Sequence, residues 1–187
     1  MKKLIILINI FIFYLYFNLN ISSFSIPNNL MLGDLILREG IGIESELIKL
    51  ATNSKYTHIG IISSINPIKI LHATYEDFGF SGVVQFGLKD FLNGAKEVKI
   101  IRLKNLKDKE KLIDDLMAKL KSDFVLDESE NALYCTTYIY NDLKKYLNIK
   151  LNKTYLDLPI NKGYYLLPSE FLKLEHEVIF EERDYLK

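Results

Sequence analysis

Cysteine is almost absent from this chain of 187 residues: Cys135 stands alone, so no internal disulfide can form. An excess charge of either sign is missing too. The 24 basic and 24 acidic side chains cancel, which leaves no net field to attract nucleic acid or an anionic membrane surface and argues against nucleic-acid binding. There is no internal repeat, no low-complexity tract and no linker to a second domain. The longest apolar run, Leu4 to Phe17 interrupted by Asn9, is short for a stable membrane span. What is present, 49% hydrophobic and 26% charged residues, is the composition of one globular domain whose core needs no disulfide staples.

Lys2 and Lys3 precede that apolar run, the charged and apolar regions of a secretory signal. Residues 1–25 are therefore expected to be a signal peptide or an N-terminal membrane anchor that engages the export machinery or the membrane. No Ala-x-Ala site follows, although Ser22, Ser23 and Ser25 supply small residues for cleavage, and no cysteine follows for lipid attachment. The alternative is the buried first helix of a cytosolic fold. Export exposes thiols to oxidising conditions, so a solitary Cys135 reads as chemistry, an unused buried residue or an intermolecular link.

The folded domain is expected over residues 30–187, opening with Gly33-Asp34 and a short strand, Leu35-Ile36-Leu37-Arg38. Ile43, Leu47, Ile48 and Leu50 predict a helix over 44–51 that Asn53-Ser54 ends. Strand-like runs follow at Thr57–Ser63, Ile68–Thr74, Val83–Phe86 and Val98–Leu103. Leu112, Ile113, Leu116, Met117 and Leu120 predict a surface helix over Lys107–Lys121 with one buried stripe. A second helix, Asn131–Leu147, carries Cys135 in its first turns; Pro168-Ser169-Glu170 opens a short one and Val178–Phe180 suits a closing strand. The expected class is α+β: an antiparallel sheet or small barrel with helices packed on it.

His58 shares a strand face with Gly60 and Ile62, and His72 shares one with Ile68 and Ile70. If Ser63–Pro67 is the hairpin loop and Ile62 pairs with Ile68, His58 falls directly opposite His72. Opposed residues have Cβ atoms about 4.5–5.5 Å apart, close enough for two imidazoles to share a hydrogen bond. A nucleophilic cysteine needs a base, and the base needs a third group to orient it. Cys135, His58 and His72 can fill those roles, with Cys135 near a helix N-terminus that favours thiolate. Glu76 competes as orienter, because a carboxylate holds an imidazolium more strongly, but pairing it with His58 lengthens the loop. His176 reads as a surface residue; Asp34 and Asp123 read as turn or cap residues, and Tyr56 and Tyr134 as core tyrosines rather than oxyanion donors.

Gly33-Asp34-Leu35-Ile36-Leu37-Arg38, a helix, Ser54-Lys55-Tyr56-Thr57-His58-Ile59-Gly60-Ile61 and Tyr134-Cys135-Thr136-Thr137 together resemble the permuted NlpC/P60-like, papain-related hydrolases of the YiiX/YaeF type. The histidine precedes the cysteine, the mark of the circular permutation, and the resemblance spans Gly33–Leu147. Thr136 and Thr137 depart from the usual Ser and acidic pair, and His72 stands where relatives frequently have Glu; a His-His-Cys set is similar to the lecithin retinol acyltransferase branch. The resemblance implies a papain-like fold and an exported cysteine hydrolase of the bacterial periplasm or envelope. Such an enzyme would act on a small amide, peptide or lipid-linked substrate through a thioester on Cys135. No metal or organic cofactor is expected. Acyl transfer on the same fold, a catalytically silent peptide- or lipid-binding module, and a zinc site of His58, His72 and Cys135 are the alternatives.

Overall fold

The computed structural model describes residues 24–40, 54–77, 79–157 and 162–183, with positions 45, 48, 49 and 52 between them; the side chains of Glu76 and Asp77 are outside the description. The expected export segment therefore lies outside the described residues, Phe24 and Ser25 excepted. So does most of the expected helix over 44–51, although Ser45, Ile48 and Lys49 are helical. Among the described residues no helix is long and apolar enough to cross a membrane.

Among the fully described elements, eight strands and three α-helices follow in the order β1 (Leu35–Glu39), β2 (His58–Ile65), β3 (Ile68–Asp77), β4 (Phe80–Gly87), α1 (Leu88–Phe91), β5 (Glu97–Leu103), α2 (Lys109–Met117), α3 (Cys135–Tyr146), β6 (Lys153–Asp157), β7 (Lys162–Leu166) and β8 (His176–Arg183). A 3₁₀ turn, Pro168–Lys173, precedes β8 and has its proline at the start, where a missing N–H costs nothing. Six strands form one sheet in the order β4-β3-β2-β1-β5-β8, every pair antiparallel, and β6 and β7 form a separate hairpin. That hairpin and α1 carry no strong period in the sequence and escaped the sequence reading.

Alternation along the strands builds two cores. Leu35, Leu37, Ile59, Ile61, Leu71, Ala73, Ile101 and Leu103 pack with Leu112, Ile113 and Leu116 of α2 and Tyr138, Ile139 and Leu143 of α3. The intervening residues Ile36, Ile62, Ile70, Val98 and Ile100 face the other way, against Phe91, Leu92, Ala95 and Leu30. Central strands covered on both faces read as unbroken apolar runs, which is why Leu35-Ile36-Leu37 shows no polar alternation.

The β2–β3 hairpin differs from the expected register. Both strands extend to a two-residue turn at Asn66-Pro67, where the peptide bond is cis. Pairing runs Ile65↔Ile68 and Ser64↔Lys69, then shifts through a bulge to Ile62↔Ile70 and Ile61↔Leu71. The turn takes two residues where five were expected, which carries the register past the expected one; the bulge leaves one residue unpaired and takes a single step back, so Ile62 meets Ile70 rather than Ile68. Extending this register sets His72 level with Gly60, and His58 meets it diagonally.

Candidate active site

The chain entering β2 is held by a different partner at each step. Lys55 pairs with Glu97 and, at 3.5 Å, with Glu181. The hydroxyl of Tyr56, a residue only 2% exposed, lies 3.1 Å from a carboxylate oxygen of each of the same two glutamates. Burial and then these two carboxylates push the phenol well above its ordinary pKa. Thr57 donates its N–H to the Arg38 carbonyl at 3.0 Å, and its hydroxyl oxygen accepts the Gly40 N–H at 3.1 Å. His58, the next residue, is thus delivered from a backbone fixed to β1, β5 and β8, and the Tyr56 hydroxyl is committed to that anchorage.

His58 Nε2 lies 2.9 Å from His72 Nδ1, with the rings 88° apart. His72 is wholly buried. Phe91 of α1 touches both imidazoles, with ring centroids 5.6 Å from His58 and 5.0 Å from His72, and Phe86 of β4 stands 4.9 Å from His72. Gly60 makes this possible: a Cβ there would meet Ile70 Cγ2 at 2.4 Å and Phe91 Cε2 at 3.0 Å. Arg38, the cross-strand partner of His58, places its guanidinium carbon 5.0 Å from the Phe91 centroid and donates to the Asn93 carbonyl at 3.2 Å. Burial first and the Arg38 charge second depress both imidazoles, His58 well below its ordinary pKa and His72 to about 3. Both shifts favour the neutral rings. Arg38 and Phe91 were not singled out from the sequence; the only local signal was a charge closing the apolar run of β1.

Cys135 is the first residue of α3. Thr137 caps the helix by accepting the Tyr134 N–H at 3.0 Å, and Thr136 donates to the Leu166 carbonyl at 2.8 Å. The two threonines that depart from the usual Ser-acidic pair therefore have structural work: one caps α3 and the other ties it to β7. The Tyr134 hydroxyl accepts the Leu166 N–H at 2.9 Å, so it too is engaged in the fold. Burial raises the Cys135 thiol to about 11, opposed by N–H groups of Ile59 and Thr136, the Arg38 charge and its own N–H. The Ile59 contact sets the sulfur beside the residue that follows His58. The β2–β3 ladder begins only at Ile61↔Leu71, so the start of β2 is open to α3.

The structure brings His58 and His72 together as expected, but by a diagonal contact. Cys135 comes to the same end of β2 from α3, on the opposite face of the sheet from Phe91. Among the described residues no hydrogen bond joins its sulfur to either imidazole. Nor do any three His, Cys, Asp or Glu side chains among them converge to hold a metal ion, so the zinc set of His58, His72 and Cys135 does not fit this geometry. The side chain of Glu76, the competing orienter, lies outside the described residues. His176 sits half-buried on β8, its Nδ1 2.8 Å from the Leu174 carbonyl and far from the pair. Asp34 is fully buried and accepts the Met31 N–H at 2.8 Å and two N–H groups of Arg102 at 2.8 and 2.7 Å.

No family model and no curated protein sequence matches the chain. Its structure is similar to the crystal structure of the metalloprotein YiiX from Escherichia coli O157:H7, with a TM-score of 0.65 at 15% identity, over 82% of this chain and 98% of that one. At that identity the likeness is one of fold. The six-stranded antiparallel sheet with its packed helices is thus a papain-like α+β fold of the kind seen in YiiX.

Proposed function

We propose that the protein is an exported cysteine hydrolase that cleaves an amide or ester bond in a small peptide or lipid-linked substrate of the bacterial envelope. The observation that carries this reading is the hydrogen-bonded His58–His72 pair at the strand end where the Cys135 sulfur meets the Ile59 N–H. With Nε2 of His58 engaged by His72, Nδ1 is the nitrogen left for the thiol. His58 Nδ1 takes the Cys135 proton as the sulfur attacks the carbonyl carbon, and the Cys135 N–H contributes to stabilising the oxyanion. The proton passes to the departing amine or alcohol, leaving a thioester. Water, deprotonated by His58, then releases the acid and restores the thiol. The missing sulfur–imidazole bond is compatible with this sequence, because such bonds are often poorly aligned before substrate binds.

Export rests on the charged and apolar N-terminal pattern of residues 1–25, and the substrate class on the resemblance to permuted NlpC/P60-like enzymes. Acyl transfer differs only in the acceptor that takes the thioester. A second reading, a silent peptide- or lipid-binding module, draws on the high thiol pKa and the lack of a sulfur–imidazole bond. Labelling with a thiol-reactive acyl probe across pH separates the two. Labelling lost in Cys135→Ala and reduced at least tenfold in His58→Ala supports the hydrolase, whereas ligand binding by a protein whose Cys135 never reacts supports the binding module.

A further inference from the structure

His72 offers two ring nitrogens, and the structure uses one. Nδ1 is 2.9 Å from His58 Nε2, while Nε2 is buried with no hydrogen-bond partner among the described residues. Around that ring Phe86 and Phe91 stand at interplanar angles of 72° and 81°. Val84 lies across the strand pair on β4. Among the described residues, the charged or titratable groups acting on His72 are His58 from β2 and Arg38 from β1; α1 and β4 present aromatic and aliphatic side chains there. No carboxylate is among them.

A single proton lies between the two rings, and its owner decides what His58 can do. If His72 Nδ1 carries it, neutral His72 buries a bare lone pair at Nε2, and His58 must hold its own proton on Nδ1, where it cannot act as a base. If His58 Nε2 carries it, His72 accepts at Nδ1 and holds its proton on Nε2. An N–H among aromatic rings gains weak attraction from their negative faces, which a lone pair does not.

We propose that Phe86 and Phe91 lock His72 as the neutral Nε2–H tautomer, a pure acceptor at Nδ1, so that His58 is protonated on Nε2 and presents Nδ1 as its free lone pair. Phe91 is a positioning residue in this arrangement, admitted by Gly60 and backed by Arg38. The inference deepens the hydrolase reading and rests on it for its catalytic meaning. It also gives the orienting position a neutral acceptor in place of a carboxylate.

The test is long-range ¹H–¹⁵N correlation spectroscopy on histidine-labelled full-length protein at pH 7, which identifies the protonated nitrogen of each ring without any substrate. The expected spectrum has His72 and His58 each protonated at Nε2 alone. Protonation of His72 at Nδ1, or at both nitrogens, overturns the proposal. Two variants sharpen it: the amide oxygen of His72→Asn replaces Nδ1, whereas the amide of His72→Gln reaches the Nε2 position. His58 is expected to stay a single Nε2–H species in His72→Asn and to lose it in His72→Gln; identical His58 tautomers in both overturn the acceptor role. Should either variant fail to fold, the wild-type spectrum still decides. An acyl probe that never labels Cys135 would end the hydrolase reading and leave the tautomer result standing.

Discussion

Two buried polar clusters flank β1, and they are satisfied to very different degrees. On one side Asp34 accepts three N–H bonds, two of them from a single guanidinium, and Arg102 uses a further N–H on the Asn29 carbonyl. On the other side His58 and His72 share one hydrogen bond, keep one nitrogen with no partner, and have a cation rather than an anion nearby. The first arrangement is what a structural clamp requires: a buried charge held by its opposite and by donors on both oxygens. The second is a poor clamp. Two buried imidazoles whose pKa values are depressed add little to stability, and their ring nitrogens are not saturated by the fold. Saturated polar groups hold this fold; the unsaturated pair is where the proposed chemistry is placed.

Removing one partner from each cluster separates them most sharply. Arg102→Ala leaves Asp34 as a buried anion with one remaining donor and is expected to cost about 3–5 kcal/mol in denaturant unfolding. A loss below about 1 kcal/mol would show that Asp34 is not held as a buried charge.

The histidines respond instead to pH. Because the folded-state pKa of His72 is depressed to about 3 from 6.5, the unfolded chain binds the extra proton first. Stability is therefore full above about pH 6.5 and falls as pH drops toward 3. The contribution of His72 is roughly 2 kcal/mol on going from pH 6.5 to pH 5. His72→Asn, which cannot titrate, should flatten that slope in urea unfolding followed across pH. An unchanged slope would mean that His72 is protonated in the fold.

The smallest effect is expected at the anchor of β2. Tyr56→Phe removes a hydroxyl shared by Glu97 and Glu181 but leaves the ring packing and Lys55 in place. A loss of about 1 kcal/mol is expected, with probe labelling of Cys135 reduced severalfold through misplacement of His58. A stability loss without any change in labelling would detach the anchor from the site.

Much of this was legible along the chain. The strand runs, the two amphipathic helices, the proline-started turn and the choice of Cys135, His58 and His72 all came from local patterns, and the pairing of the histidines came from counting along a hairpin. The count itself was off, because the turn takes only Asn66 and Pro67 rather than five residues and a bulge then adds a residue to one strand, which leaves no compositional trace. Arg38 and Phe91 were invisible for a related reason: an arginine ending a strand and a phenylalanine in a four-residue helix acquire meaning only through what lies beside them.

The solitary cysteine, the two strand histidines and the alternation that puts each imidazole on one face are properties of the sequence alone, because side-chain direction follows from strand period and the choice of a candidate nucleophile from residue chemistry. Tertiary structure decided the diagonal contact between the rings, the orphaned nitrogen of His72 among aromatic side chains, the guanidinium behind Phe91 and the approach of Cys135 from the other face of the sheet. Those are relations between segments far apart in the chain, fixed by register, packing and burial, and no local propensity encodes them.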